Sequence, residues 1–183
     1  MPPKVLKNVF VSLIIILLIF IGWSYFSSPR DGSGGSPISD IFSRFNRMAE
    51  SGLPGSGQRY SHSEPDFSFN YPEGFGASGF EDGEGETILV QKEGRGFQIY
   101  ITAIGEDLEI TEEKINQDIP DLKIKNAKAV EIGGATGLSF ESEDGGLETK
   151  EIWFVKGQNL YQITSYPEFS DMTEGVAESW EWK

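Results

Sequence analysis

The sequence predicts an α+β fold: a mainly antiparallel sheet of about six strands flanked by two helices, preceded by one transmembrane helix. Three observations carry this. A charge-free apolar run stands near the start of the chain, short period-two apolar runs separated by Gly-rich turns fill its second half, and one period-3.6 segment interrupts those runs.

The apolar run is residues 9–26, VFVSLIIILLIFIGWSYF. At about 1.5 Å per residue it forms a helix of roughly 27 Å, close to the thickness of a bilayer's hydrocarbon core. Ser12 and Ser24 can bond back to their own backbone, and Trp23, Tyr25 and Phe26 crowd one end as interfacial aromatics do. Lys4 and Lys7 precede the run, so residues 1–8 are expected to stay cytoplasmic and the rest of the chain to lie outside, as a single-pass protein of the cell membrane in contact with lipid through residues 9–26. The competing reading is a signal peptide cleaved near Gly22-Trp23-Ser24; an apolar run longer than the usual h-region of about 7–15 residues favours a retained anchor. The chain has no Cys, which excludes both a lipidated anchor and a disulfide framework.

Residues 27–64 shift to Ser, Gly and Pro and cannot bury enough apolar surface to fold, so they read as a tether with a reach on the order of 35 Å. Within it, residues 38–49 place Ile38, Ile41, Phe42, Phe45 and Met48 at helical spacing opposite Arg44 and Arg47. This amphipathic segment has three readings: lying on the outer leaflet, docking on the domain, or binding a partner. Residues 65–183 leave room for one domain. Residues 64–183 hold nine Lys/Arg against twenty-six Asp/Glu, within a chain of net charge −14. Such a domain is repelled by phosphate backbones, which excludes nucleic acid as a partner and leaves two readings of the charge: solubility, or attraction of a basic protein partner.

In the domain, Phe67–Tyr71 alternates as a strand stopped by Pro72, and GASGFEDGEGE reads as an acidic loop. Thr87–Gln91 and Phe97–Ile104 pair through the turn at residues 93–96. Leu108, Ile115, Ile119 and Leu122 then recur at helical intervals, with Thr111 as N-cap, Glu112 and Glu113 in the first turn and Pro120 as the stop. Ala127–Ile132, Ala135–Glu143, Leu147–Val155 and Leu160–Tyr166 form an antiparallel meander through Gly-containing turns. Phe169, Met172, Val176 and Trp180 then share one stripe of a closing helix that should pack on the sheet.

The opening FSFNYPEGF, the helix after the second strand pair, the Gly-Gly-Ala-Thr-Gly137 hairpin, KGQNLYQIT and the closing Ser179-Trp180-Glu181-Trp182 together resemble the PsbP-like superfamily, over about residues 67–182. That superfamily includes an extrinsic protein of photosystem II and a small Ran-binding import factor. The resemblance implies an antiparallel sheet covered by helices. Phe75 stands where the family often has Trp, and the loops differ too much to carry over any functional residue.

His62, the one His, falls in the expected tether, so the domain is expected to hold neither His nor Cys; His-dependent triads, thiol nucleophiles and the usual zinc sites are thereby excluded. Catalytic residues are expected to be none, and cofactors none apart from Ca²⁺. Two acidic loops offer oxygen ligands for that ion: Glu81, Asp82, Glu84 and Glu86, of which Asp82, Glu84 and Glu86 are the candidate metal residues, and Glu141, Glu143 and Asp144. The same loops also read as solvated turns. Trp153, Tyr161, Tyr166, Trp180 and Trp182 read either as core or as an exposed patch. The function expected is a membrane-tethered, extracytoplasmic, non-enzymatic protein-binding or assembly module. The alternative is a small-ligand or Ca²⁺-binding module at the outer membrane face.

Overall fold

The computed structural model describes residues 57–81, 83–105, 108–144 and 146–183. The expected span 9–26, the amphipathic segment 38–49 and the tether up to residue 56 lie outside the described residues. Among the described residues, no helix is long and apolar enough to cross a membrane.

The described chain opens with β1 (Gln58–Ser63) and β2 (Asp66–Tyr71), followed by β3 (Gly76–Glu81), β4 (Glu86–Lys92) and β5 (Arg95–Ala103). Helix α1 (Glu112–Asp118) leads to β6 (Lys123–Ile132), β7 (Ala135–Asp144), β8 (Leu147–Lys156) and β9 (Asn159–Ser165). A 3₁₀ turn at Pro167–Phe169, helix α2 (Ser170–Glu178) and β10 (Glu181–Trp182) complete it. Where one sheet of about six strands was expected, the main sheet has seven, in the order β3-β4-β5-β9-β8-β7-β6, and a second sheet has the order β1-β2-β10. Each pairing is antiparallel.

The expected meander is present as β6 to β9. It joins the β4–β5 hairpin through the pairing of β5 with β9, where Ile99 lies opposite Ile163. Tight turns follow from local chemistry: Glu93-Gly94 and Gly133-Gly134 all have positive φ, as two-residue turns that match the twist of their strands require. Thr111 caps α1 as expected, its Oγ1 accepting from Lys114 N at 3.2 Å, and the helix ends at Asp118, two residues before Pro120.

Three strands exceed the expected set, and each corrects a boundary. Residues 58–63, read as the end of the tether, form β1, because Gln58 to Ser63 pair along the whole of β2 from Tyr71 to Asp66. The folded part therefore begins before residue 65, and His62 belongs to it. GASGFE, read as loop, forms β3, because pairing with the apolar strand β4 overrides the weak strand preference of Gly and Ser. The short β10 closes the second sheet against β2. Strand β6 also starts at Lys123, four residues before the expected Ala127, through a bulge between Lys125 and Lys128 where Asn126 has φ 53°.

The core has two layers. On one face of the main sheet, Ile88, Ile99, Phe154, Tyr161 and Ile163 pack with Phe67 and Phe69 of β2, Val176 of α2 and Trp180. Phe67 and Trp180 stack at 4.5 Å between ring centroids, and Phe154 and Tyr161 at 5.0 Å. On the opposite face, Phe140, Trp153 and Leu160 pack under Ile110, Ile115, Ile119 and Leu122 from α1 and its flanks. Strand β8 is buried on both faces from Thr149 to Val155, as a strand covered on both sides must be. Trp153, Tyr161 and Trp180 are core, and Tyr166 and Trp182 are half-buried, so these residues form no exposed aromatic patch.

Candidate interaction surface

The two long edges of the main sheet differ in chemistry. Along β6, alternation and the bulge place Lys123, Lys125 and Lys128 at the rim. Lys123 and Lys125 Nζ each lie 2.8 Å from a Glu143 oxygen. Their hydrogen bonds and charges hold Glu143 down to about 2. Asn126 Nδ2 donates to Glu141 Oε2 at 2.8 Å, while Lys128 and Lys150 share Glu174 Oε1 at 3.5 Å. Behind this rim an open groove of about 490 Å³ runs between the β6–β8 strands and the start of α2. Its lining is polar, and its lysines face carboxylates.

The edge formed by β3 carries no cation and ends in Phe80 and Glu81. Phe80 is the exposed large hydrophobic residue among those described, at 42%. Glu86 leaves β4 toward β1, where both its oxygens face His62 Nε2 at 2.8 and 2.9 Å. His62 Nδ1 faces the Pro65 carbonyl at 2.8 Å, and the ring stacks on Phe67 at 4.8 Å. Through these contacts His62 of β1 bolts the second sheet to Glu86 of the main one. Burial, with the Glu86 charge beside it, pushes the Tyr60 phenol up to about 12.

Of the candidate metal residues, Asp82 lies outside the described residues. Glu84 accepts a hydrogen bond from Thr102 Oγ1 through its backbone carbonyl, and Glu86 is engaged with His62 as above. Among the described residues no three His, Cys, Asp or Glu side chains converge on a point where a metal ion would sit. Glu81 sits at the end of β3 opposite Glu86. In the second acidic loop, Glu141 and Glu143 hold Asn126 and two lysines.

Reasoning from sequence missed Glu151. It sits on buried β8, 3% exposed, accepting from Thr149 Oγ1 at 2.6 Å, Trp153 Nε1 at 2.9 Å and Thr164 Oγ1 at 2.8 Å. Burial raises its carboxyl to about 7, against the three hydrogen bonds that lower it. The signal was available: Thr149, Glu151 and Trp153 alternate on one face of a strand that carries Ile152 and Phe154 on the other.

The fold defines an α+β domain built on an antiparallel sheet with helices on both faces. Among solved structures, the chain is similar to cyanobacterial PsbP (CyanoP) from Synechocystis sp. PCC 6803, a solution structure, at 15% identity and a TM-score of 0.47, over 73% of this chain and 99% of that one. No family model matches the chain, and neither does any curated protein.

Proposed function

We propose that this chain is a non-enzymatic protein-binding or assembly module, held at the outer face of the cell membrane by residues 9–26. The observation that carries the reading is that the groups best suited to acid–base chemistry are consumed internally. His62 uses both ring nitrogens on Pro65 and Glu86, and Glu151 is sealed in the sheet with three donors on its two oxygens. Neither has a free atom to offer a substrate. An ion-binding role finds both oxygens of Glu86 already facing His62 and Glu143 paired with Lys123 and Lys125.

The tether gives such a module its mechanism. With β1 folded, residues 27–57 reach about 30 Å, from roughly 5–6 Å times the square root of their number. Confinement at that distance raises the domain's effective concentration for a membrane-embedded partner, so a weak interface suffices. Crosslinking of the full-length chain in its native membrane tests this. One dominant partner is expected, with a yield that falls on adding salt and on deleting residues 27–52. Absence of any specific crosslinked protein, or a yield indifferent to the deletion, would refute the mechanism.

A further inference from the structure

We propose that the outer edge of β3 is a strand-addition site for an extended, Lys- or Arg-bearing segment of a partner protein. The inference rests on the protein-binding reading above and gives it a place and a partner chemistry. Among the described residues, β3 pairs only with β4, so alternate residues of its six turn their N–H and C=O groups outward. An unpaired edge recruits strands unless something blocks it. The opposite edge is blocked: β6 carries Lys123, Lys125 and Lys128 and a bulge. Strand β3 has none of these devices. Gly76, Ala77, Ser78 and Gly79 leave the backbone open, and the exposed Phe80 ring offers an apolar anchor.

The charge around this edge selects the occupant. Glu73, Glu81, Glu84 and Glu86 surround β3, with Lys92 as the nearby cation at its Gly76 end. Gly79 has no side chain, and Glu86 Oε1 lies 2.7 Å from where its Cβ would stand. That carboxylate is held by His62, whereas Glu81 at the end of β3 is exposed. A strand added about 4.8 Å further out brings a long cationic side chain within reach of Glu81. A second copy of this chain is disfavoured as occupant, because each domain has twenty-six acids against nine bases over residues 64–183.

The test uses the full-length chain in detergent, followed by amide NMR and hydrogen exchange, with two capped hexapeptides as probes: alternating Lys-Val and alternating Glu-Val. The Lys-Val peptide is expected to shift the amides of residues 76–81 and protect them from exchange, while the Glu-Val peptide leaves them unchanged. The double variant Phe80→Lys/Glu81→Lys supplies the edge with the charges that β6 has, at positions exposed enough to leave the fold intact. It is expected to weaken binding at least tenfold without moving amides elsewhere. Unchanged β3 amides, an equal response to both peptides, or shifts centred on β6 would overturn the proposal. Protection of β3 that rises with protein concentration without peptide would instead make a second copy the occupant. In the membrane crosslinking experiment, a partner retained by the double variant sinks the edge assignment but leaves the binding module standing, whereas no partner for the natural chain sinks the module itself.

Discussion

Replacing Glu151 by Gln should leave stability nearly unchanged at pH 4 and raise it at pH 8. The Gln amide oxygen can take the place of Oε2, accepting from Trp153 and Thr164, and its NH₂ can donate to Thr149 Oγ1, which in turn donates to Ser142 Oγ 2.6 Å away. The variant thus copies the protonated carboxyl. In the folded chain burial raises that carboxyl from its ordinary 4.5 to about 7. Between those values the folded state holds a proton that the unfolded state has released, so the stability this group supports is complete below pH 4.5 and is lost as pH rises through 7. At about 1.4 kcal/mol per unit, the loss is about 3 kcal/mol. The full-length chain and the variant should be unfolded in urea at pH 4, 6 and 8, with Trp fluorescence as the signal. The other carboxylates titrate in both proteins, so the difference between the two curves isolates Glu151. The advantage of Glu151→Gln should grow from near zero at pH 4 to about 3 kcal/mol at pH 8. Parallel curves, or a variant that loses ground as pH rises, would refute the reasoning.

A fragment beginning at residue 57 should resist urea better than one beginning at residue 65, since the shorter one loses β1 and exposes one side of β2; equal midpoints would return residues 58–63 to the tether. His62→Ala should cost about 1–3 kcal/mol at neutral pH, because Glu86 and the Pro65 carbonyl lose a partner and Phe67 loses a stacked ring; denaturant unfolding checks it. Gly137→Ala should cost about 1–3 kcal/mol, because its Cβ would stand 2.6 Å from the Trp153 carbonyl and 2.7 Å from Phe154 Cβ, both fixed on the central strand β8. A neutral result there would mean that β7 and β8 can move apart.

What was legible in the sequence had strong local grammar. The cap at Thr111, the Pro120 stop, the Gly133-Gly134 turn and the long runs at Leu147 and Leu160 specify their own structure from nearest neighbours. β1 and β3 do not. QRYSHS and GASGFE look like linker by composition, and become strands only because β2 and β4 present them with a complete ladder of partners. The same limit hid the sites. His62 looked isolated because Glu86 is twenty-four residues away, and Glu151 looked like one acid among many because its donors come from two strands. The strand-addition edge is a property of what β3 lacks, and no short motif records it.

The pairing of β10 with β2 sets a condition on biosynthesis. Phe67 and Phe69 find their cover in Trp180 and Trp182, more than a hundred residues later, with Trp182 opposite Phe67. At about 5–20 residues per second, the growing chain spends roughly ten seconds with two adjacent aromatic strands made and their lid not yet synthesised. During that interval the β4–β5 hairpin and then the β6–β9 meander can form from local contacts, while the amino-terminal sheet remains a sticky half-structure. Its final closure waits on the synthesis of Trp180 and Trp182, so a ribosome stalled even shortly before Trp180 leaves a nascent chain whose main sheet can be nearly complete while its aromatic flank stays open to capture by chaperones or proteases.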